Sequence, residues 1–241
     1  MIRGQEAEKR FLTEQRQISL YPKSGEEQFS GARDLSQAFC DMCEIEGTLE
    51  KKRRELALRS DFNMCDVYKL LTNLKPGYGV DCDDLYKAIA ENLELIITKD
   101  EVFIIFYKLD KDGDGFLNYT EVCDCFLPRE AEYAVLIQSR GGFYGGETST
   151  KTYFEGDTRN CLKKFLRGFV ECEVSVELIR QRIMNKLRIK PDLAFSACDK
   201  DSKGVLTVDD IRNFCKANNM YPIERDLRLM FQRLDKDEDG V

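Results

Sequence analysis

The stretch that decides the fold is D-K-D-G-D-G-F-L-N-Y-T-E, residues 110–121. Counted from its first residue, it carries carboxylates at positions 1, 3, 5 and 12, a glycine at position 6 and an amide at position 9. The short acids can converge on one hard cation, the glycine permits a sharp turn, and the longer glutamate can bind with both oxygens. The pattern therefore predicts a Ca²⁺ site whose ligands are Asp110, Asp112, Asp114, Phe116 through its carbonyl, Asn118 and Glu121.

Apolar residues on both sides of this loop follow helical spacing, and Leu117 within it is expected to point into a core. The spaced residues are Val102, Phe103, Phe106 and Leu109 before the loop and Val122, Cys125 and Phe126 after it. An acidic surface turn would not explain why every ligand position is filled. We therefore predict one competent EF-hand over residues 98–127, with one bound Ca²⁺.

The composition limits the classes of function. The 241 residues are 42% apolar and 34% charged, and the net charge of −7 disfavours nucleic acid as a partner. No apolar run approaches the length of about 18 residues that would predict membrane insertion. The sequence lacks histidine, the commonest zinc ligand and general base, and its one C-x-x-C pair, Cys40 and Cys43, has no second pair at zinc spacing. Ten cysteines and a polar start predict reduced thiols in a cytoplasmic protein, and we expect no enzymatic activity.

The chain before the first hand divides into two parts. Residues 1–30 are charged and predict an extended N-terminal arm. Residues 32–59 predict a long helix that packs on its own first lobe, with an intermolecular coiled coil as the alternative. Its apolar positions are Leu35, Ala38, Met42, Ile45, Leu49 and Leu56. The run Lys51–Arg54, with Glu50 and Glu55 beside it, predicts a solvated face.

Residues 61–90 predict a degenerate hand, which completes an N-terminal lobe over residues 31–138. If Val80 occupies the apolar position 8, the loop runs over residues 73–84 and places Lys75 at position 3, Gly77 at position 5 and Tyr78 at position 6. That loop holds too little negative charge to bind calcium. We expect it to be structural, with Gly79-Val80-Asp81 pairing with Phe116-Leu117-Asn118 in a short antiparallel ladder.

A Gly- and Thr-rich stretch, residues 139–156, predicts a linker to a C-terminal lobe over residues 157–241. Asp157 or Thr158 can cap the helix that follows the linker, and a further helix is expected before Pro191. The first of these helices has an apolar stripe beside basic residues, formed by Leu162, Phe165, Leu166 and Phe169. We expect the stripe to pack on the second lobe, although EF-hand grooves also bind helices of this kind in their targets.

The C-terminal lobe repeats the first one, with loops over residues 199–210 and from residue 235 that align with those upstream. In the degenerate hand 190–218, Lys203 at position 5 favours a structural loop over a weak calcium site. The hand 227–241 begins with Asp235, Asp237 and Asp239 and stops at position 7. We expect a longer chain or a covering partner, because the faces of residues 193–198 and 227–234 would otherwise be open.

These loops, their pairing and the repeat resemble the calmodulin superfamily over roughly residues 61–127 and 190–241. The resemblance implies an all-α fold of two EF-hand-pair lobes with short β ladders between paired loops. Residues 126–134, FLPREAEYA, and residues 61–63, DFN, resemble EF-hand proteins of ciliates and other protists, some of them associated with cilia.

Two functions agree with this resemblance. One competent loop, where calmodulin has four, favours a structural or regulatory component of a cytoskeletal assembly, and the protist resemblance makes it a ciliary or axonemal one. Its partners would then be cytoskeletal or microtubule-associated proteins. The alternative is a calmodulin-like calcium sensor that binds an amphipathic target helix and regulates a partner enzyme.

Overall fold

The computed structural model describes residues 31–73, 79–141, 153–186, 189–235 and 239–241, and its regular structure is helical. The predicted arm and most of the predicted linker, residues 142–152, lie outside these ranges, as do Lys75, Gly77, Tyr78 and Asp237. The helices are α1 (Ala32–Ala57), α2 (Met64–Leu71), α3 (Cys82–Lys87), α4 (Lys99–Leu109), α5 (Tyr119–Phe126), α6 (Ala131–Gln138), α7 (Gly156–Gln181), α8 (Pro191–Cys198), α9 (Val208–Ala217) and α10 (Glu224–Leu234). Helices α3 and α7 continue as π-helical turns over Ala88–Asn92 and Arg182–Lys186.

Side-chain caps fix where the two helices of the predicted competent hand begin. Thr98 and Glu101 form a capping box at the start of α4, and Asn118 and Glu121 form another at the start of α5. Each box satisfies backbone N–H groups that have no partner inside the helix. The calcium loop therefore ends in a helix that its own residues cap.

A single antiparallel bridge joins the first two loops. Val80 N–H donates to the Leu117 carbonyl at 3.0 Å, and Leu117 N–H donates to the Val80 carbonyl at 2.8 Å. Both side chains are fully buried, as position 8 of each loop predicts. The pairing lies within the predicted segments, but it is one bridge, and the described residues contain no strand.

The two longest helices, α1 and α7, pack directly on each other. Helix α1 also packs on α9 and α10 of the second predicted pair, and α7 packs on α4 of the first EF-hand pair. Leu49 and Leu56 in the second half of α1 belong to the main core with the first pair. Phe39 and Cys43 in its first half belong to a smaller cluster with α9 and α10. The apolar seam of α1 is therefore covered within the chain. None of the helices in the described ranges is long and apolar enough to cross a membrane.

A buried ionic cluster ties α10 to both long helices. The Arg233 guanidinium contacts Glu46 on α1 at 2.7 Å and Glu173 on α7 at 2.6 Å. The three side chains are only 9–12% exposed, so each charge depends on the others for compensation. The cluster holds the second EF-hand pair against the long helices.

The prediction that the α7 stripe packs on the second lobe is wrong. Leu162, Phe165, Leu166 and Phe169 are buried in the main core with the first EF-hand pair. The physical reason is a complementary apolar surface: the Phe165 ring lies 5.0 Å from that of Phe126, at the end of α5. Residues 31–241 consequently cluster as one compact unit.

The described residues at both ends of the predicted linker contact the rest of the fold. Tyr153 is buried in the main core, and the Arg140 guanidinium donates to the carbonyls of Ala57 at 2.7 Å and Phe62 at 3.0 Å. The predicted caps, Asp157 and Thr158, lie inside α7, whose N-cap position is Glu155. Asp61 from the preceding hand accepts hydrogen bonds from Thr158 Oγ1 at 2.5 Å and Glu155 N–H at 2.6 Å, so a distant carboxylate holds the start of the helix.

The apolar faces of residues 193–198 and 227–234, which were expected to be open to water, are exposed only in part. Leu193 and Leu234 are each 48% exposed and Phe195 is 38% exposed, whereas Leu227 and Met230 are fully buried. The first half of α1 covers the middle of α10, which the sequence interpretation had left open.

Candidate calcium site

Three of the predicted ligands converge in the loop between α4 and α5. Asp110, Asp112 and Asp114 each place one carboxylate oxygen within 4.8 Å of the other two. They lie at positions 1, 3 and 5, where the turning chain points alternate side chains inward. Three oxygens this close would repel one another without a cation, so the geometry favours a metal site.

The first acid also shapes the loop. Asp110 accepts hydrogen bonds from Gly113 N–H at 2.8 Å and Gly115 N–H at 3.1 Å. Both glycines have positive φ, 72° and 84°, which residues with a Cβ rarely adopt. The turn predicted from the glycine at position 6 is therefore present.

The remaining predicted ligands close the loop at its far end. Glu121 is buried, and its carboxylate accepts hydrogen bonds from Lys111 N–H at 2.8 Å and Asn118 N–H at 2.9 Å. The Asn118 side chain accepts from Glu121 N–H at 3.0 Å, and Phe116 N–H donates to Asp114 at 2.8 Å. Glu121 thus spans the loop from position 2 to position 9 and stands beside the three acids rather than within their cluster.

This donor set suits Ca²⁺. The ion prefers six to eight oxygen ligands in a flexible arrangement, and carboxylates supply them with the charge needed to dehydrate it. Asp110, Asp112, Asp114 and Glu121 would provide that charge, with Phe116 and Asn118 adding neutral oxygens. The ion would stabilise the loop by neutralising acids that the fold places side by side.

Two buried charged side chains, which the sequence did not lead us to expect, contact the chain at and after the C-terminal end of α5. Glu50 is fully buried and accepts hydrogen bonds from Arg129 N–H at 2.8 Å and Glu130 N–H at 3.2 Å. Arg53, 5% exposed, donates to the Cys125 carbonyl at 2.9 Å. The run around Lys51 was predicted to be solvated. That prediction is wrong for Glu50 and Arg53, which are buried because they form hydrogen bonds with backbone groups at and just after the end of α5.

The other helix of the hand is held by α7. The Arg167 guanidinium contacts the Glu101 carboxylate at 2.6 Å and also donates to the Ile96 carbonyl. The Thr98 N–H lowers the pKa of Glu101, and the Thr98 hydroxyl and Arg167 act in the same direction. Both helices that flank the calcium loop are thereby fastened to α1 or α7.

Side-chain hydrogen bonds join the described ends of the first loop. The Asn73 side-chain amide donates to the Asp84 carbonyl at 3.1 Å, which joins positions 1 and 12 directly. Asn92 in turn donates to the Asn73 side chain at 2.6 Å. An amide therefore joins positions 1 and 12 of this loop, whose ligands a cation would join in a competent loop.

The third loop contains its own cation. The Lys203 ammonium lies 2.9 Å and 2.8 Å from the two carboxylate oxygens of Asp210, at position 12. Asp199 accepts from Lys203 N–H at 3.0 Å and Gly204 N–H at 2.8 Å, so the turn resembles that of the competent loop. Lys203, with the Thr207 hydroxyl, lowers the pKa of Asp210 to about 2. A lysine side chain thus fills the place where position 5 would meet a metal.

We expect Lys203→Asp to convert this loop into a calcium site, because the change removes the internal ammonium and supplies a carboxylate at position 5. Calorimetry should then give two Ca²⁺ per chain instead of one, with the new site weaker because Asp210 is shorter than glutamate. Lys200→Asp, the same charge change at a position whose side chain is not a ligand, is the matched control and should leave the stoichiometry at one. If the Lys203→Asp protein also binds one ion, the short side chain of Asp210, and not Lys203, prevents this loop from binding calcium.

The described residues of the fourth loop share contacts with the competent loop. Asp235 accepts from Gly240 N–H at 2.9 Å, Asp239 accepts from Val241 N–H at 3.0 Å, and Gly240 has a φ of 85°. Asp110 and Gly115 make the corresponding contact in the competent loop. The described residues therefore place the first acid of this loop as its sequence predicts.

Comparisons with known proteins agree with this geometry. A family model described as an EF-hand domain pair matches residues 77–127. Mouse calcium-binding protein 4 is 28% identical over 153 residues, which cover 59% of this chain and 48% of the relative. The match thus spans about half of that relative's length, and no solved structure matches. The chain therefore contains an EF-hand pair, and the family match, the similarity to a calcium-binding protein and the acidic loop support Ca²⁺ binding.

Proposed function

We propose that the protein is a non-enzymatic structural or regulatory component of a larger protein assembly and that Ca²⁺ stabilises its first EF-hand pair. The observation that carries this proposal is the position of α7. Leu162, Phe165 and Leu166 fill the apolar surface of that pair, where a sensor would receive its target. The groove is occupied by the chain itself.

The fastening of the calcium hand supports the same proposal. A sensor must let the helices around its loop change their angle when calcium binds. Here α5 is tied to α1 through Glu50 and Arg53, and α4 is tied to α7 through Arg167. Opening the hand would separate buried charged side chains from their partners, which would raise the free energy of the protein. Calcium is therefore expected to reinforce one conformation.

The proposed setting is a cytoskeletal, ciliary or axonemal assembly, with cytoskeletal or microtubule-associated partners. Its support is the resemblance of residues 61–63 and 126–134 to protist EF-hand proteins. We expect the protein to remain with detergent-insoluble cytoskeleton from its source cells when calcium is chelated, as a built-in component should. Release into the soluble fraction by chelator, with recovery on added calcium, would contradict a structural role and favour the sensor.

The second candidate is the calmodulin-like sensor, and the competent loop itself favours it. A sensor exposes apolar surface on binding calcium, so α7 would have to leave Phe126 and the groove. Binding of a hydrophobic fluorescent dye, measured with calcium and with chelator, separates the two functions. A large calcium-dependent rise supports the sensor, whereas equal or lower binding with calcium supports the structural component.

A further inference from the structure

Two aromatic side chains on the outer face of α4 are exposed to water. Phe103 is 58% exposed and Tyr107 is 76% exposed, and their rings stack with centroids 6.2 Å apart. Ile96, just before the helix, is 92% exposed. The opposite face of α4 lies in the main core through Val102 and Ile105. The helix therefore has two apolar faces, and the described part of the chain covers one of them.

Contacts on the buried side hold this outer face in position. The Arg167 guanidinium donates to the Ile96 carbonyl and contacts the Glu101 carboxylate at 2.6 Å. Thr98 and Glu101 form the capping box that begins the helix. Because these contacts fix the chain at Ile96 and at the start of α4, the exposed side chains keep their places. Apolar side chains grouped on a surface in this way mark a site of interaction with another protein.

The surroundings of the outer face are acidic. Residues 94–114 contain six acidic residues and three lysines. Two of the lysines already have acidic partners outside this segment, since Lys99 lies 3.3 Å from Asp83 and Lys111 lies 2.6 Å from Asp124. Negative charge therefore prevails around the exposed rings, and a complementary partner would carry positive charge.

A second copy of the chain does not suit this face. Asp100 is exposed and lies three residues before Phe103, so the carboxylate and the ring are on the same side of the helix. The acids of the calcium loop, residues 110–114, begin three residues after Tyr107. Two copies that paired through these rings would bring like charges together, which is unfavourable.

We propose that the outer face of α4 binds a lysine- or arginine-rich segment of another protein, whose apolar side chains pack on Phe103 and Tyr107. This face is separate from the groove that α7 fills, so binding needs no opening of the EF-hand pair. The inference rests on the proposed function in one respect, because it gives the chemistry of a partner that the component contacts. Calcium adds positive charge at one end of the face, so it should leave the affinity unchanged or lower it by no more than about fivefold.

Fluorescence anisotropy of a labelled synthetic peptide tests the proposal on the full chain. The probe is an amphipathic peptide of leucine and lysine, about 18 residues or five helical turns long, and the control peptide has glutamate in place of lysine. We expect the lysine peptide to bind both with calcium and with chelator, and the glutamate peptide not to bind. No binding of the lysine peptide, equal binding of both peptides, or binding that requires calcium would overturn the proposal, since a calcium requirement would place the peptide in the groove.

Paired serine variants locate the binding face. Replacing Phe103 and Tyr107 together by serine should weaken binding of the lysine peptide by at least about tenfold. The matched control replaces Tyr221 and Ile223, which are 74% and 66% exposed between α9 and α10, and should bind like the parent protein. Both proteins should melt close to the parent temperature because the altered side chains are exposed. Parent-like binding by the first protein, or an equal loss in the control, would show that the peptide binds elsewhere.

A neutral variant tests the charge and leaves the rings unchanged. Asp100→Asn should weaken binding of the lysine peptide by about two- to fivefold at low salt. Asp192→Asn is the matched control, because both acids lie in the first turn of a helix, and it should leave the affinity unchanged. If the two variants bind alike, the charge on this face does not select the partner and the proposal fails. Release of the parent protein from the cytoskeleton by chelator would contradict the proposed function alone, so the two failures are distinguishable.

Discussion

Replacing Glu121 with glutamine is expected to weaken calcium binding by about 100-fold or more, which corresponds to roughly 2.7 kcal/mol of binding free energy. Glu121 is the residue at position 12 and the acid that spans the loop, through Lys111 N–H at 2.8 Å and Asn118 N–H at 2.9 Å. Glutamine keeps the size of the side chain but has one ligand oxygen and no charge. The change therefore removes a ligand with little change in packing.

Calorimetry provides the measurement. The parent protein should bind one Ca²⁺ with a dissociation constant of about 10⁻⁷ to 10⁻⁵ M, the range of sensor-type loops. Glu132→Gln, the same change at an exposed position on α6, should leave binding unchanged. Two tight sites in the parent protein, or undiminished binding by Glu121→Gln, would show that another loop carries the calcium site.

The calcium loop could be predicted from the sequence because its determinants are local. The acids at positions 1, 3 and 5 reach one point only through the turn at Gly115, and a twelve-residue window contains both. The pairing of Val80 with Leu117 followed from the same register, since position 8 of each loop points inward. Where spacing along the chain fixes geometry, the sequence was sufficient.

The placement of α7 could not be predicted in this way. The spacing of Leu162 and Phe165 shows that one face of the helix is buried, but it does not say against which surface. Helices with apolar faces lie both before and after α7 in the chain, and the prediction chose the helices that follow it. The decisive contacts, Phe126 with Phe165 and Glu101 with Arg167, join residues far apart in the chain.

The buried charges were missed for a related reason. Glu50 and Arg53 have the spacing of a surface ion pair, and the four other charged residues in the run 50–55 strengthen that interpretation of the sequence. Their partners are backbone groups of residues 125–130, which only the fold brings near. The hydrophobic pattern of a sequence cannot reveal a buried charged side chain of this kind. Its burial depends on backbone N–H and C=O groups, distant in the chain, that need a hydrogen-bond partner.

Two segments singled out in the sequence, residues 61–63 and 126–134, make contacts that hold the first EF-hand pair. Asp61 accepts a hydrogen bond from Thr158 in the first turn of α7, Phe62 is fully buried, and Asn63 caps α2. Arg129 and Glu130, in the second segment, supply the N–H groups that Glu50 accepts. These contacts join the first EF-hand pair to α1 and α7.

Phe165→Asp is expected to lower the free energy of unfolding by about 4 kcal/mol or more, and the melting temperature by about 10 °C. Phe165 is fully buried, its ring lies 5.0 Å from Phe126 and 6.1 Å from Phe169, and the Arg53 guanidinium lies over it at 5.9 Å. Aspartate leaves a cavity and places a charge in an apolar site. Such a loss is a large share of the stability of an ordinary domain.

Thermal unfolding with calcium present, together with binding of a hydrophobic dye, is the measurement. Phe103→Asp is the matched control: Phe103 is 58% exposed on α4, so the same change should cost no more than about 0.5 kcal/mol. Phe165→Leu should recover most of the stability, because it restores an apolar side chain. Dye binding should rise for Phe165→Asp alone, since only that change frees the groove. If Phe165→Asp melts at the parent temperature and binds no more dye than the parent protein, the Phe165 ring does not hold α7 in place. The apolar groove of the first EF-hand pair would then be open to a target helix, as the sensor requires.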